Sequence, residues 1–530
     1  MINKDNLPAY ILLFIGGAVL VMGVVLLFIP PGLLPDPANG FQVLRSMHLG
    51  GGFNNMVAPD QSDISQDYTE FLTWWSPGQY LVPWVFTLIT GLNLGKGIAI
   101  TVLLSTASGL CGFYCFFRRM GFKPLVCALS LLFIFFQVAF FVPFVFYNGG
   151  EVLLYGFLGW FLYGCALIDK PGLKLILFVL LSGWAGFFCK SSFVWMYGAG
   201  LLCLWINLSN RSKGSWFKNA VWIGLPAMAS VACIYLFFLS KGQSPASAAH
   251  GIGINADTFT FSLASPALSA FSVDDLAHGL VYHFGHPLIP DAVALVILLL
   301  LLVISVALIV LIARRVPGNS YRLFVLVFYA VAFAFFSYSY MRQLNISFEA
   351  RHFRVLGILI IPGLIWLVLR SGVMAKAVFG LIWLGIAVFS VHYLVKGYQL
   401  NSNVSAHGVT GISQPNIDQP ALDKVIDLDK QNKNAVFVFV SNDIGLEVLH
   451  NRVISLSPIV DGQKVDPEDY TYDGFSGPLY IVLPAGYKGA KEDLIMRSFP
   501  GYAGWRVSRI SPGFTLYFSN QKAGVAASRL

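Results

Sequence analysis

The sequence predicts a mainly α protein, a polytopic bundle of about eleven membrane-spanning helices that carries a small α/β domain on its outer side. Three observations predict this. Apolar residues make up 56% of the 530 positions and charged residues only 11%, against about a quarter charged in soluble domains. The apolar residues gather in runs of roughly 20, the length a helix needs to cross a bilayer. Basic residues recur at every second connection between those runs, as the positive-inside bias requires. The net charge of +8 comes from these loops rather than from a basic tail, and no nucleic-acid motif is present.

The first run, 8–29, follows Lys4. It is too long for a signal-peptide core and lacks a small-residue cleavage site, so it reads as a retained helix with a cytoplasmic N-terminus. Further runs at 97–117, 124–146, 152–168, 173–189, 191–207, 219–240, 292–313, 323–340, 355–369 and 377–395 complete the eleven. The segment 77–94 is also apolar. Counting it as a span would put Arg118, Arg119 and Lys123 outside, so it reads as a helix lying on or dipping into the outer face. The inner loops then hold Arg118, Arg119 and Lys123; Lys170 and Lys174; Arg211, Lys213 and Lys218; Arg314, Arg315 and Arg322; and Arg370 and Lys376.

That topology divides the chain into a membrane domain, 1–396, and an extracytoplasmic domain, 397–530. Two long outer loops remain in the first part, 30–96 and 241–291. In the second part, 435–441 (AVFVFVS), 452–456 and 479–483 (LYIVL) read as strands and 444–450 as a short helix, the makings of a small α/β domain. It contains neither a phosphate loop nor a nucleophile elbow. The seven cysteines lie in or beside apolar runs. Cys111 and Cys115 share a helix face but have no nearby His or carboxylate, so they read as small packing residues. There is no internal repeat and no mid-helix carboxylate, which argues against a transporter or flippase.

The polar residues that matter stand at the outer ends of the apolar runs. Asp36 follows Pro30-Pro31-Gly32-Leu33-Leu34-Pro35, just beyond the first helix, and 38–47 reads as a short surface helix. Asp60, Asp63, Asp67 and Glu70 come next, then Trp74-Trp75-Ser76-Pro77-Gly78-Gln79-Tyr80-Leu81. Further on are Phe117-Arg118-Arg119-Met120-Gly121, Tyr147-Asn148-Gly149-Gly150-Glu151, a Gly-rich run ending in Lys190, and Glu349-Ala350-Arg351-His352-Phe353-Arg354. In order and sidedness, this series across 8–370 resembles the GT-C superfamily of membrane glycosyltransferases, which take sugars from polyprenyl-phosphate carriers. It departs from that family at one point: Asp36 is followed by Pro37 rather than by a second acid. The acidic position is therefore open among Asp36, Asp60, Asp63 and Asp67.

The resemblance implies transfer of a monosaccharide from a polyprenyl phosphate to a glycan, lipid or protein acceptor at the outer face of a bacterial-type inner membrane. Such a reaction needs a carboxylate to take the acceptor proton and fixed cations to receive the departing phosphate. Asp36 is the expected base. Arg351 and Arg354 are the expected phosphate ligands, with Lys190 and His352 behind them. Charge counting alone puts all five on the outer side, near helix ends. Glu151, Asp60, Asp63 and Asp67 are candidates for acceptor contact or a divalent cation, although no clear ligand set is visible. His278, His283 and His286 with Asp274, Asp275 and Asp291 fit no zinc spacing and read as a solvated or acceptor-binding loop. A ligase or polymerase of lipid-linked glycans is the alternative expectation. Trp74 and Trp75 suit sugar stacking and membrane interfaces equally.

Overall fold

The computed structural model describes residues 6–211, 215–242, 251–255, 257–273, 290–460 and 465–524. Lys4, Lys213, Asp274, Asp275, His278, His283 and His286 lie outside the described residues, as do the side chains of Arg211 and Asp291.

All eleven apolar runs are helical. They are α1 (Leu7–Phe28), then, beyond α2 (Pro35–His48) and α3 (Gly78–Thr90), α4 (Leu94–Arg119), α5 (Pro124–Phe135) with α6 (Val138–Phe141), α7 (Gly150–Leu167), α8 (Leu173–Cys189), α9 (Phe193–Arg211) and α10 (Trp216–Phe237). After α11 (Asp257–Ala270) follow α12 (Asp291–Arg315), α13 (Asn319–Met341), α14 (Arg354–Arg370) and α15 (Val373–Asn403). Eight segments among the described residues are long and apolar enough to cross a membrane, so this is a multi-pass membrane protein. The run 124–146 is not one straight rod: its two halves meet at 73°. At 17 residues, α8 falls just short of a full span.

Small residues decide the closest helix pair. A methyl group added to Gly159 on α7 would lie 2.5 Å from the backbone nitrogen of Phe113, and one on Gly112 of α4 would lie 2.9 Å from that of Trp160. In a bilayer, where apolar residues gain nothing by leaving lipid, such approach supplies the packing contacts. Ser108 adds a hydrogen bond to the Gly156 carbonyl at 2.9 Å. The 13 residues of α3 are too few to span and end at Gly91 in the left-handed conformation.

Two expectations are corrected. The loop 241–291 contains α11, whose Phe261, Ala264, Ala267, Leu268 and Ala270 are fully buried. It packs against α12, α13 and α14 inside the bundle. Its Ser- and Ala-rich sequence hides it, because small residues that pack closely carry little hydropathy. Likewise, α2 is no surface helix: Pro37, Ala38 and Gly40–Ser46 are buried. It begins at Pro35, so Asp36 lies in its first turn.

The C-terminal part holds a five-stranded sheet in the order β11-β12-β9-β7-β8, counting β1 (Gly32–Leu33), β2 (Asn55–Pro59), β3 (Asp67–Phe71), β4 (Phe146–Tyr147), β5 (Ala406–His407), β6 (Ser413–Gln414), β7 (Val436–Phe439), β8 (Arg452–Ser455), β9 (Leu479–Pro484), β10 (Tyr502–Ala503), β11 (Arg506–Arg509) and β12 (Phe514–Ser519). The central β7 pairs parallel to β8 and β9, whereas β12 pairs antiparallel to β9 and β11. Burial on both faces explains why β7 and β9 are continuous apolar runs. The edge strand β11 is exposed along its whole length and its RVSR sequence carries no such signal. The hairpin β2–β3 and helix α2, both in the segment between α1 and α3, dock on this domain.

Candidate functional site

Three chain segments converge above the bundle. The first is the start of α2. It is set by β1, which pairs in parallel with β4 and so ties the exit of α1 to the entry of α7. The second is the turn 147–151. Gly149 has φ +59, and a Cβ there would meet Gln79 Oε1 at 2.5 Å and Pro37 Cγ at 3.0 Å. Only glycine lets this turn press against the residue that follows Asp36. The third is the short 3-10 helix Ala350–Phe353 that leads into α14.

Arg351 stands at the meeting point. Its Nη1 lies 3.3 Å from Asp36 Oδ2 and 3.6 Å from Glu151 Oε1, and its Nε lies 2.5 Å from Glu349 Oε2. Glu151 is also bound by the Lys190 ammonium, which extends from the tight connection between α8 and α9. Gly150 makes room for it, since a Cβ there would meet the Cys189 carbonyl at 2.7 Å. The result is one chain of charges, Asp36, Arg351, Glu151 and Lys190, with Glu349 on the flank. Its members come from four places in the sequence.

The exposures of the three carboxylates differ in a way that ranks them. The side chain of Asp36 is 43% exposed, against 32% for Glu349 and 23% for Glu151. Asp36 is the carboxylate that a group arriving from outside reaches first. Glu151 is held inward between two cations, Lys190 and Arg351.

Below this cluster opens a cavity of about 280 Å³. Glu151, Lys190, Glu349, Arg351 and Arg354 line its polar end. Ile134, Phe140, Leu154, Leu158, Val355 and Ile358 line the rest. The 73° break between α5 and α6 forms one wall, through Gln137, Ala139 and Phe140. Asn148 Oδ1 and the Tyr155 hydroxyl are buried in the lining and have no hydrogen-bond partner among the described residues. A second, more open cleft of about 490 Å³ is lined by Asn255, Thr258, Tyr340, Gln343, Asn345 and Phe348, among others. The consecutive residues Phe348 and Glu349 line the two spaces, so they flank one stretch of backbone.

Thus Asp36, Lys190 and Arg351 meet, joined through Glu151, and Arg354 lines the same cavity. Asp60, Asp63 and Asp67 do not join them. Asp60 and Asp63 cap their own turn, accepting from Ser62 and Ser65, which draws both carboxyls below their usual pKa. Asp67 pairs with Arg452 of β8 at 2.8 Å. The His352 ring lies beside Phe336 and within 3.3 Å of Ser347 Oγ, and the residue does not line the cavity. Trp74 and Trp75 lean on each other with ring centres 6.3 Å apart. Sequence reasoning missed Glu349. Its position two residues before Arg351, just ahead of a span, was the available signal. Among the described residues no group of three or more His, Cys, Asp or Glu is arranged to hold a metal ion.

Chemically, the cluster can accept a proton at an exposed carboxylate and stabilise an anion beside it, at the mouth of a cavity suited to a chain of apolar carbons. By sequence, no family model and no curated protein matches the chain. Its fold does match solved structures. The arabinofuranosyltransferase AftD from Mycobacteria aligns with 95% of this chain at a TM-score of 0.51 and 12% identity. This chain spans only 40% of AftD's length. ArnT from Cupriavidus metallidurans, solved bound to undecaprenyl phosphate, aligns with 97% of this chain and 98% of its own at a TM-score of 0.50 and 14% identity. Its apo structure gives the same score over 96% of this chain. The chain therefore has a GT-C-like fold over nearly its whole length.

Proposed function

We propose that this protein is a membrane glycosyltransferase. It moves a monosaccharide from a polyprenyl-phosphate carrier, undecaprenyl phosphate or a similar lipid, to a cell-envelope glycan, lipid or protein. The reaction takes place at the outer face of the inner membrane, with the N-terminus in the cytoplasm and the sheet domain outside. The observation that carries the reading is Arg351 held between Asp36 and the Glu151–Lys190 pair, at the polar end of an otherwise apolar cavity. ArnT, which shares the fold, was solved with undecaprenyl phosphate, and that supports the carrier.

The acceptor hydroxyl enters beside Asp36, the most exposed carboxylate, and gives it the proton as the oxygen attacks the anomeric carbon. The bond from that carbon to the phosphate oxygen breaks on the opposite face. Its electrons leave with the phosphate, and a single displacement inverts the anomeric centre. Arg351, Arg354 and Lys190 receive the negative charge, and guanidinium groups suit the paired phosphate oxygens. The apolar walls keep the lipid tail in the bilayer while its head reacts. The second cleft, lined by the amides of Asn255, Gln343 and Asn345, is the proposed entry for the acceptor.

The test is a transfer assay with purified protein and radiolabelled polyprenyl-phosphate monosaccharides, comparing wild type with Asp36→Asn. Transfer that disappears in the variant supports both the reaction class and the base. Transfer that survives in a well-folded variant removes Asp36 from the role. Activity only with a long glycan on a polyprenyl diphosphate would replace this reading with a glycan ligase.

A further inference from the structure

Helix α2 carries Asp36 in its first turn and Arg45 in its last. At 1.5 Å per residue the two lie roughly 13 Å apart along the axis. The apolar face of the Arg45 end, Val43, Leu44 and Met47, packs into the membrane bundle, while the Arg45 side chain reaches out of it into the sheet domain. Its Nε donates to the Val448 carbonyl at 2.6 Å and its Nη2 donates to the Asn451 carbonyl, both in the turn between β7 and β8 of the sheet domain. Gln42 donates to the Asn442 carbonyl at 2.7 Å, and Asn442 donates to Asn39 at 2.6 Å. Three successive turns of one helix are therefore bonded to the outer domain.

The receiving turn is itself fixed. The Asn451 side chain donates to Asp429 and to the Asn432 carbonyl and accepts from Ala435. Asp429 accepts from the backbone of Leu449 and His450. Arg45 is buried, and burial lowers its pKa to about 10 against the opposing pull of Asp429, so it stays charged at neutral pH. A buried charge held by rigid carbonyls is costly to displace.

We propose that Arg45 is a positioning residue: it clamps α2 to the C-terminal domain and so sets the place of Asp36 relative to Arg351. The inference rests on the reading of Asp36 as the base, and it gives the sheet domain a task, holding one end of the lever whose other end enters the site. A small rotation of α2 about its docked face would move Asp36 away from the Arg351 side. Misplacement by about 1 Å can cost up to about 10²-fold in rate.

The experiment compares wild type, Arg45→Met and Arg45→Lys as full chains in detergent. Two readouts are taken: hydrogen exchange of the 35–41 backbone, and the split of donor transfer between kcat and KM. The clamp predicts faster exchange at 35–41 in Arg45→Met with 94–119 unchanged. It also predicts a kcat lowered roughly 10- to 100-fold at a donor KM within about twofold of wild type, because the cavity is untouched, and partial rescue by Arg45→Lys, which keeps the charge but loses the fork. Unchanged exchange at 35–41, or a loss confined to KM, overturns it. If Arg45→Met does not fold, Asn442→Ala cuts only the bond to Asn39 and gives the same two signals at smaller size. If the wild type transfers no sugar, the functional reading fails and the exchange data alone decide the coupling.

Discussion

The segment 30–96 contains Asp36 and a second group of acids that look alike in sequence and meet different partners. Asp36 lies at the start of α2 and meets Arg351, a residue 315 positions away in the chain. Asp60, Asp63 and Asp67 lie on the β2–β3 hairpin and find partners in their own turn or in Arg452. Arg452 binds the Ile64 and Gln66 carbonyls as well as Asp67, so the hairpin acids belong to a joint between the first loop and the sheet domain. Both Asp36 and Asp67 meet a cation from a distant element, but the partner of Asp36, Arg351, also lines the cavity, whereas Arg452 belongs to the sheet domain. That place sets the proposed base apart from the hairpin acids. Exposure alone would not have separated them.

The comparison breaks most sharply on activity. Asp36→Asn and Arg351→Ala are expected to lower kcat by roughly 10²- to 10⁴-fold, the range for losing a positioned base or an anion ligand. Asp67→Asn is expected to stay within about twofold, its exposed ion pair being worth at most about 1 kcal/mol. Equal losses from Asp36→Asn and Asp67→Asn in the same transfer assay would erase the distinction.

A smaller effect is expected at Glu151. Glu151→Gln keeps the shape but releases its grip on Lys190 and Arg351, and about a tenfold fall in kcat follows from misplaced cations. A thermal-shift scan should show the variant folded, which separates lost placement from lost fold.

The joint itself should respond to Arg452→Ala. Removing a guanidinium hydrogen-bonded to two carbonyls costs about 1.5–3 kcal/mol. Limited proteolysis should then cut first in the 60–67 turn while transfer continues. Cleavage elsewhere, or loss of transfer with the fold intact, would mean the hairpin belongs to the site.

The gentlest test uses pH. Glu447 is buried beside Thr410 and Gln414, and burial raises its pKa above the ordinary 4.5 despite those hydrogen bonds. A carboxyl whose folded pKa is raised contributes stability below its unfolded pKa and loses it as pH rises through the folded value. The melting temperature of the sheet domain should therefore fall as pH climbs from about 4.5 through that raised pKa. Glu447→Gln should flatten the slope. Asp60 and Asp63 run the other way, their pKa values being lowered. What they contribute is present above the unfolded pKa and disappears as pH falls through the folded one. Melting curves of Asp60→Asn and wild type should converge in acid.

Much of this fold is legible in the residues alone. Every apolar run forms a helix, and β7, β8 and β9 lie where their Val- and Ile-rich runs indicate. The charge pattern also places Asp36, Lys190, Arg351 and Arg354 at helix ends, because lipid forces polar groups out of the span and basic loops to one side. Three things are not legible. Helix α11 is short and rich in Ser and Ala, so its burial leaves no hydropathic mark. Strand β11 is polar and exposed. Glu349 reads as an ordinary loop acid until Arg351 turns toward it.

The sequence by itself determined the membrane bundle and the end of each helix where charge can stand, since local apolarity against a bilayer is a property of each segment alone. Only the tertiary structure decided which acid meets which cation, that α2 lies buried beneath the sheet domain, and that Arg45 and Asp36 share one rigid rod. Those outcomes depend on segments hundreds of residues apart being brought within about 3 Å by packing, and no local pattern encodes such a distance.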